Sequence, residues 1–202
     1  VYKRQLHALR ERGVEYVEVR LMDLDPFEDV GIAAPTMRML DVFLLHCLNA
    51  DSPPDTPAEI AELKHNQHLT AERGREPGLQ LVRAGREVPL RDWAHEVLDQ
   101  CRPYAQALDS THGTHDYSAA LAQALERLEH PERTPSAHVL GELTGEYGNS
   151  FSRFTLARSE QARDSLLALP WSQAQQQRFE QWSAQSVCLL YTSDAADDSL
   201  RV

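Results

Sequence analysis

The stretch VEYVEVRLMDLDPF, residues 14–27, holds the clearest strand pattern in this chain of 202 residues. Over residues 14–22 apolar side chains alternate with polar ones, and successive side chains of a strand point to opposite faces. Glu18 and Arg20 therefore share one face, about 6.6 Å apart along the strand at roughly 3.3 Å per residue. A carboxylate can bind a divalent cation, and a guanidinium can bind phosphate or carboxylate oxygens. The polar face is thus either a ligand-binding pair or a solvated surface.

Helical patterns dominate the rest of the chain. A short helix is predicted to end at Gly13, because glycine tolerates the left-handed conformation that ends helices. Turn signals at residues 77–78 and 84–85 flank a short apolar run and predict a loop or a small hairpin. The longer helices are predicted from apolar spacing and breaker residues at about Thr36–Ala50, Pro57–Glu72, Leu90–Leu108, Tyr117–Leu128, Ser136–Glu146, Ser150–Leu169 and Ser172–Ala184.

The two ends of the chain fit no pattern around them. The opening VYKRQ and the later CLLYT, residues 188–192, can be encoded by the same DNA in opposite orientations, and the extension through residue 198 resembles a transposase adapter used in sequencing libraries. We therefore predict that residues 1–5 and 188–202 are translated adapter, which leaves residues 6–187 as the authentic part. Cys47 and Cys101 within that part give no disulfide framework, which favours a reducing compartment.

The charge balance disfavours two classes of partner. The formal net charge is −11, with 31 acidic residues against 20 basic ones. Nucleic acids and anionic membrane surfaces are bound through clustered Lys and Arg, so neither is predicted as a partner. The longest apolar run, residues 42–45, is far shorter than the roughly 20 residues of a membrane-spanning helix. We expect a soluble, cytoplasmic protein.

Three further features are weaker candidates for chemistry. His65 and His68 lie three residues apart on a predicted helix, which permits metal binding, but no third ligand is evident and a solvated helix face is the simpler interpretation. Arg75 lies in a predicted turn, where it could reach an anion or only cap the preceding helix. Cys47 is expected to face the core of its helix and to serve packing.

The segment RGVEYVEVRLMDLDPF, residues 12–27, together with GREPGL, residues 74–79, resembles the C-terminal part of bacterial glutamate–cysteine ligases. The resemblance covers most of residues 6–158 and is loose in the last helices. It implies an α+β fold, predominantly α-helical in this fragment, in which residues 14–22 are one edge piece of a glutamine-synthetase-like antiparallel sheet followed by a helical C-terminal region. Residues 6–187 would then be the C-terminal part of a single catalytic domain.

The resemblance also implies a reaction. In such ligases ATP phosphorylates the side-chain carboxylate of L-glutamate, and the amine of L-cysteine displaces phosphate from the acyl phosphate in the first step of glutathione biosynthesis. It implies Glu18 as a ligand of Mg²⁺ and Arg20 as a catalytic residue that also binds ATP or substrate. Arg75, from its place in the turn, is a further candidate for binding ATP or substrate. The fragment itself is expected to be inactive. A sister carboxylate–amine ligase with another amine acceptor and a non-catalytic helical scaffold or interaction module remain as alternatives.

Overall fold

The structure, a computed structural model, describes residues 7, 9–20 and 22–192, with side chains up to residue 187. Two short strands, β1 (Gln80–Arg83) and β2 (Arg86–Pro89), form an antiparallel hairpin, and residues Pro131–Arg133 form a 3₁₀ turn. The predicted class, α+β and predominantly helical, is confirmed. The α-helices are α1 (Ala34–Asn49), α2 (Pro57–Arg73), α3 (Leu90–His112), α4 (Asp116–Glu129), α5 (Pro135–Gly145), α6 (Phe151–Leu167) and α7 (Gln173–Thr192).

Helix boundaries follow the local chemistry that the sequence indicates. Thr56 Oγ1 accepts the backbone N–H of Glu59 at 3.2 Å, and Pro57 occupies the first helical position of α2, where its missing N–H costs nothing. The C-terminal end of α3, the helix that follows the hairpin, is at Gly113, which adopts a left-handed φ of +64°. The predicted hairpin lies between these two helices along the chain.

The core of the first part of the chain lies between α1, α3 and α4. It contains four buried side chains, Val42, Cys101, Ala105 and Leu121. The expectation that Cys47 faces this core is wrong, because its side chain is exposed. Cys47 follows the fully buried Val42 by five residues, which places it about 140° around the helix at 3.6 residues per turn.

The hairpin is fastened to α2 by one amide side chain. Asn66, only 7 % exposed, donates from Nδ2 to the carbonyl of Val82 at 2.6 Å and accepts the Val82 N–H at 2.9 Å. A second contact joins the Gly85 N–H to Glu62 Oε1 at 2.9 Å. Asn66 thus satisfies both backbone groups of Val82, much as a neighbouring strand would.

The segment before α1 departs from the predicted strand. Residues 14–20 and 22 form no strand, whereas the short helix before them ends as predicted at Gly13, whose N–H bonds the Leu9 carbonyl at 3.0 Å. Val17 and Val19 are 64 % and 45 % exposed. A strand needs a partner for its backbone groups, and the described part of the chain supplies none for this segment. The alternation of side chains predicted an apolar and a polar face, but it carried no information about a neighbouring strand.

An acidic side chain of α3 caps the start of α4. The Asp109 carboxylate, 6 % exposed, accepts the backbone N–H groups of Tyr117 and Ser118 at 2.9 and 3.0 Å. Burial alone would raise the pKa of Asp109, but the hydrogen bonds from Ser118 and Tyr117 and the nearby His115 outweigh it and hold this pKa below its ordinary value. The carboxylate therefore satisfies two of the N–H groups that the start of a helix leaves without partners.

The chain divides into two units, residues 1–159 and residues 160–202. Within the second unit, the Phe179 ring contacts Trp171 and Trp182 with centroid distances of 4.9 and 5.4 Å. All three rings stay about half exposed. Across the described residues, no helix combines the length and apolarity that crossing a membrane requires.

The adapter interpretation stays a prediction. Residues 1–6 and 193–202 lie outside the described residues, so nothing tests the proposed origin of the ends. Residues 188–192 continue the backbone of α7, and their side chains are not among those described.

We predict that Asn66→Ala destabilises the chain by about 1–3 kcal/mol, because it leaves the N–H and carbonyl of Val82 without partners in a partly buried position. Urea unfolding followed by circular dichroism measures this change. The matched control is Gln67→Ala, which removes an exposed amide from the next position of the same helix. Equal unfolding midpoints for the two variants would show that the amide bridge contributes nothing.

We also predict that the stabilisation by Asp109 depends on pH. Its pKa is lower in the folded state than the unfolded value of about 3.9, so its contribution is complete above that value and is lost as the pH falls through the folded-state pKa. Thermal melts of wild type and Asp109→Asn should differ by several degrees at neutral pH and converge in acid. Asp51→Asn, at an exposed loop position, serves as the control and should follow wild type throughout. A constant difference at all pH values would contradict this assignment.

Candidate functional site

The predicted pair, Glu18 and Arg20, is brought together by the structure. The Arg20 guanidinium donates to Glu18 Oε2. The Arg20 side chain is 80 % exposed and that of Glu18 is 42 % exposed. The two charged groups contact each other in solvent. An anion that binds Arg20 would replace Glu18 as its partner, and a cation that binds Glu18 would replace Arg20.

A tight loop follows the pair. Asp25 Oδ1 accepts the Phe27 N–H at 3.0 Å, and the Asp25 N–H donates to the Gly31 carbonyl at 2.9 Å. Gly31 has a left-handed φ of +77°, and a Cβ added to it would lie 2.7 Å from Leu24 Cγ. The backbone conformation therefore favours glycine at this position, and a larger residue would also have to displace the exposed Leu24 side chain.

Phe27 anchors this loop to α5 and α6. The guanidinium carbon of Arg158 lies 4.5 Å from the Phe27 ring centroid, and the Arg158 guanidinium also contacts the Glu142 carboxylate. The rings of His138 and Phe154 meet Phe27 edge to face at 5.9 and 6.4 Å. The loop is thus held by an aromatic and cationic cluster and not by apolar burial alone.

Two adjoining cavities open beside the loop, with volumes of about 1200 and 1260 Å³. The first lies between residues 22–33, the end of α2, α5 and α6. The second lies between α2, the hairpin, α3 and α4. Seven residues line both cavities and are called the shared wall here: Asp23, Thr70, Ala71, Gly74, Arg75, Glu76 and Arg127. Glu18 and Arg20 line neither cavity.

Arg75 therefore belongs to a cavity wall. The preceding Arg73 is bound by Glu76, with Nε and Nη2 each 2.6 Å from a carboxylate oxygen, and these hydrogen bonds hold the pKa of Glu76 below its ordinary value. The end of α2 is closed by the Gly74 N–H, which donates to the Thr70 carbonyl at 2.8 Å. Arg75 itself is exposed and makes no ion pair with any described residue.

Arg127 is a candidate that the sequence patterns missed. It is half-buried on α4, lines both cavities and has no ion-pair partner among the described residues. A signal was present, because Arg127 follows the buried Ala120 by seven residues, which is two helical turns, and so lies on the same helix face. A charged residue on an inward face is unusual enough to be singled out.

The described residues contain no complete metal site. No three His, Cys, Asp or Glu side chains among them converge in a way that could hold an ion, and His65 and His68 are both exposed on α2. Mg²⁺ in proteins is usually bound by one or two carboxylates together with substrate phosphates. Glu18 has a carboxylate of the kind that could serve as one such ligand, and its role stays a prediction.

Comparison with known proteins gives consistent matches. A family model described as glutamate-cysteine ligase matches residues 2–70. The chain is 42 % identical over 200 residues to the glutamate–cysteine ligase of Bordetella parapertussis. This alignment covers 96 % of the chain and 38 % of the Bordetella protein. The chain is 36 % identical over 195 residues to the glutamate–cysteine ligase of Alcanivorax borkumensis, with 96 % and 37 % covered.

A solved structure is similar as well. The glutamate–cysteine ligase of Francisella tularensis, in complex with AMP, superposes with a TM-score of 0.78 at 29 % sequence identity and covers 91 % of this chain and 36 % of that one. The chain thus spans less than two fifths of the length of the relatives that it matches.

Proposed function

The chain belongs to the glutamate–cysteine ligase family, and from this we propose that it is the C-terminal part of an enzyme that uses ATP to join L-glutamate to L-cysteine, the first step of glutathione biosynthesis. The observation that carries the proposal is the match of the family model to residues 2–70, which contain the segment with Glu18 and Arg20. The relative bound to AMP supports an adenine nucleotide as a ligand. The use of ATP favours a cytoplasmic location.

The proposed reaction has an electrostatic problem that the residues of this chain can help to solve. The side-chain carboxylate of glutamate attacks the γ-phosphorus of ATP, ADP leaves, and the cysteine amine then displaces phosphate from the acyl phosphate. Two anions must meet in the first step, so fixed positive charge is needed where negative charge develops. Mg²⁺, when bound, would neutralise phosphate oxygens.

Glu18 and Arg20 would divide this task. The Glu18 carboxylate would be one ligand of the metal, and the planar Arg20 guanidinium would contact the phosphoryl and carboxylate oxygens with two parallel hydrogen bonds. Their ion pair supports the assignment, because it brings a carboxylate and a guanidinium together at one point. Arg75, in the shared wall, would bind ATP or substrate.

We expect both members of the pair to affect turnover in the full-length enzyme. Glu18→Gln keeps the shape but removes the charge, so the Mg²⁺ concentration for half-maximal rate should rise, and excess Mg²⁺ should restore part of the rate. Arg20→Lys loses the planar donor pair, so kcat should fall on the order of a hundredfold with a smaller change in KM. Steady-state kinetics measure both effects.

The matched controls for this pair are Glu15→Gln and Arg12→Lys, which make the same changes at exposed neighbouring positions. Both controls should stay near wild-type turnover. Wild-type turnover in Glu18→Gln and Arg20→Lys, with unchanged melting curves, would remove the pair from the active site. It would leave the family membership intact.

We further expect the 202-residue chain alone to release no phosphate from ATP in a glutamate-dependent way. It holds one carboxylate of the proposed metal site, and no described cluster completes it. A phosphate-release assay with Glu18→Gln as background measures this. Turnover above that background would show that the chain carries a complete site, whereas an inactive full-length enzyme would favour the scaffold alternative.

A further inference from the structure

Residues 165–187, called the neutral segment here, carry almost no charge. Their charged side chains are Arg178 and Glu180, one of each sign, whereas charged residues make up 25 % of the whole chain. The acidic excess of the protein therefore lies elsewhere in the sequence. Depletion of charged residues together with enrichment in aromatic residues is the composition found at the centre of protein–protein interfaces.

The large apolar side chains of the neutral segment face solvent. Six of them are about half exposed or more: Leu167, Leu169, Trp171, Phe179, Trp182 and Val187. The Phe179 ring lies edge-on to both Trp rings, with centroid distances of 4.9 and 5.4 Å, so the three rings form one patch. A continuous exposed apolar patch of this kind marks a site of interaction more often than an isolated exposed side chain does.

The exposed apolar area is about what a small homodimer needs. A Trp or Phe side chain buries about 150–250 Å² when it is fully covered, so the exposed halves of the three rings offer roughly 300 Å² per copy. With the three aliphatic side chains included, two copies would bury on the order of 1000 Å² in total, which is the lower limit of a specific interface. The expected association is therefore weak and reversible.

The two charges of the neutral segment favour a second copy over a charged partner. The Arg178 guanidinium carbon lies 4.6 Å from the Trp182 ring centroid, and Glu180 accepts a hydrogen bond from Gln176 Nε2 at 3.1 Å. Neither charge forms an ion pair with another described residue. Two positions apart on α7, they point about 200° apart and do not neutralise each other. A basic or acidic partner would match one and repel the other, whereas a second copy supplies a countercharge for both.

We propose that two copies of the chain associate through the neutral segment, with the ring patch of each copy packed against the other and Arg178 of each copy beside Glu180 of its partner. A twofold axis allows one surface to serve both copies, as in most homodimers. Trp and Arg are the residues that contribute most where an interface excludes water, so Trp171, Trp182 and Arg178 are the expected anchors. The association requires none of the residues assigned to the ligase reaction.

Sedimentation equilibrium of the 202-residue chain, from low micromolar to submillimolar concentration, tests the association. The mass should rise from that of one chain toward that of two as the concentration increases. Trp182→Ser removes a ring from the patch and should raise the dissociation constant at least about tenfold. The matched control is Leu48→Ser, which removes an apolar side chain that is 79 % exposed on α1 and should leave the dissociation constant unchanged.

An exchange of charges separates a second copy from any other occupant. Arg178→Glu leaves two carboxylates in the segment and Glu180→Arg leaves two guanidinium groups, so each variant should associate with itself less than wild type does, and the two should associate with each other. Arg178→Glu combined with Glu180→Arg should restore the wild-type dissociation constant. Both positions are exposed, so these variants are expected to fold even where Trp182→Ser does not, and circular dichroism checks all of them.

Three results would each overturn the proposal. A single-chain mass at every concentration would mean that something other than a second copy covers the ring patch. Equal dissociation constants for folded Trp182→Ser and Leu48→Ser would place the contact on another surface. A mixture of the two charge variants that associates no better than either variant alone would remove Arg178 and Glu180 from the interface.

Discussion

The contact of the Arg158 guanidinium with the Phe27 ring and the Glu142 carboxylate is the constraint on which the cavity region depends. It joins α5, α6 and the loop after residue 22 through one side chain. A cation over an aromatic face contributes about 0.5–2 kcal/mol, the larger value where water is excluded. The same loop carries Asp23, which lines both cavities.

The helices were predictable because their signals are local. The helix start at Thr56 and the apolar spacing that follows depend on residues within a few positions, and the helices predicted there are present. The helix predicted to end at about Leu108 continues to His112 and ends at Gly113. The strand over residues 14–22 failed for a different reason. Its alternation is real, but a strand also depends on a partner distant in sequence, which no local pattern can report.

The candidate site was predictable only in part. The roles of Glu18 and Arg20 came from motif resemblance, since a spacing of two residues on a strand is common on solvated surfaces. Arg75 was a candidate only from its place in a predicted turn. Arg127 lay on the inward face of an amphipathic helix, and that was visible in the sequence. Its meaning depends on the cavities beside it, which form only when α2, the hairpin and α4 meet. The pairing of Asn66 with Val82 was equally hidden, because it joins residues far apart in the chain.

Two thiols, those of Cys47 and Cys101, differ in exposure, so thiol modification can report on the helical core. Cys47 is exposed on α1, whereas Cys101 is fully buried on α3, where burial and then the nearby Cys47 raise its pKa. Alkylating reagents attack the thiolate, so they would modify Cys47 directly and Cys101 only after α1, α3 and α4 separate. The slow phase of modification would therefore report how readily this core opens.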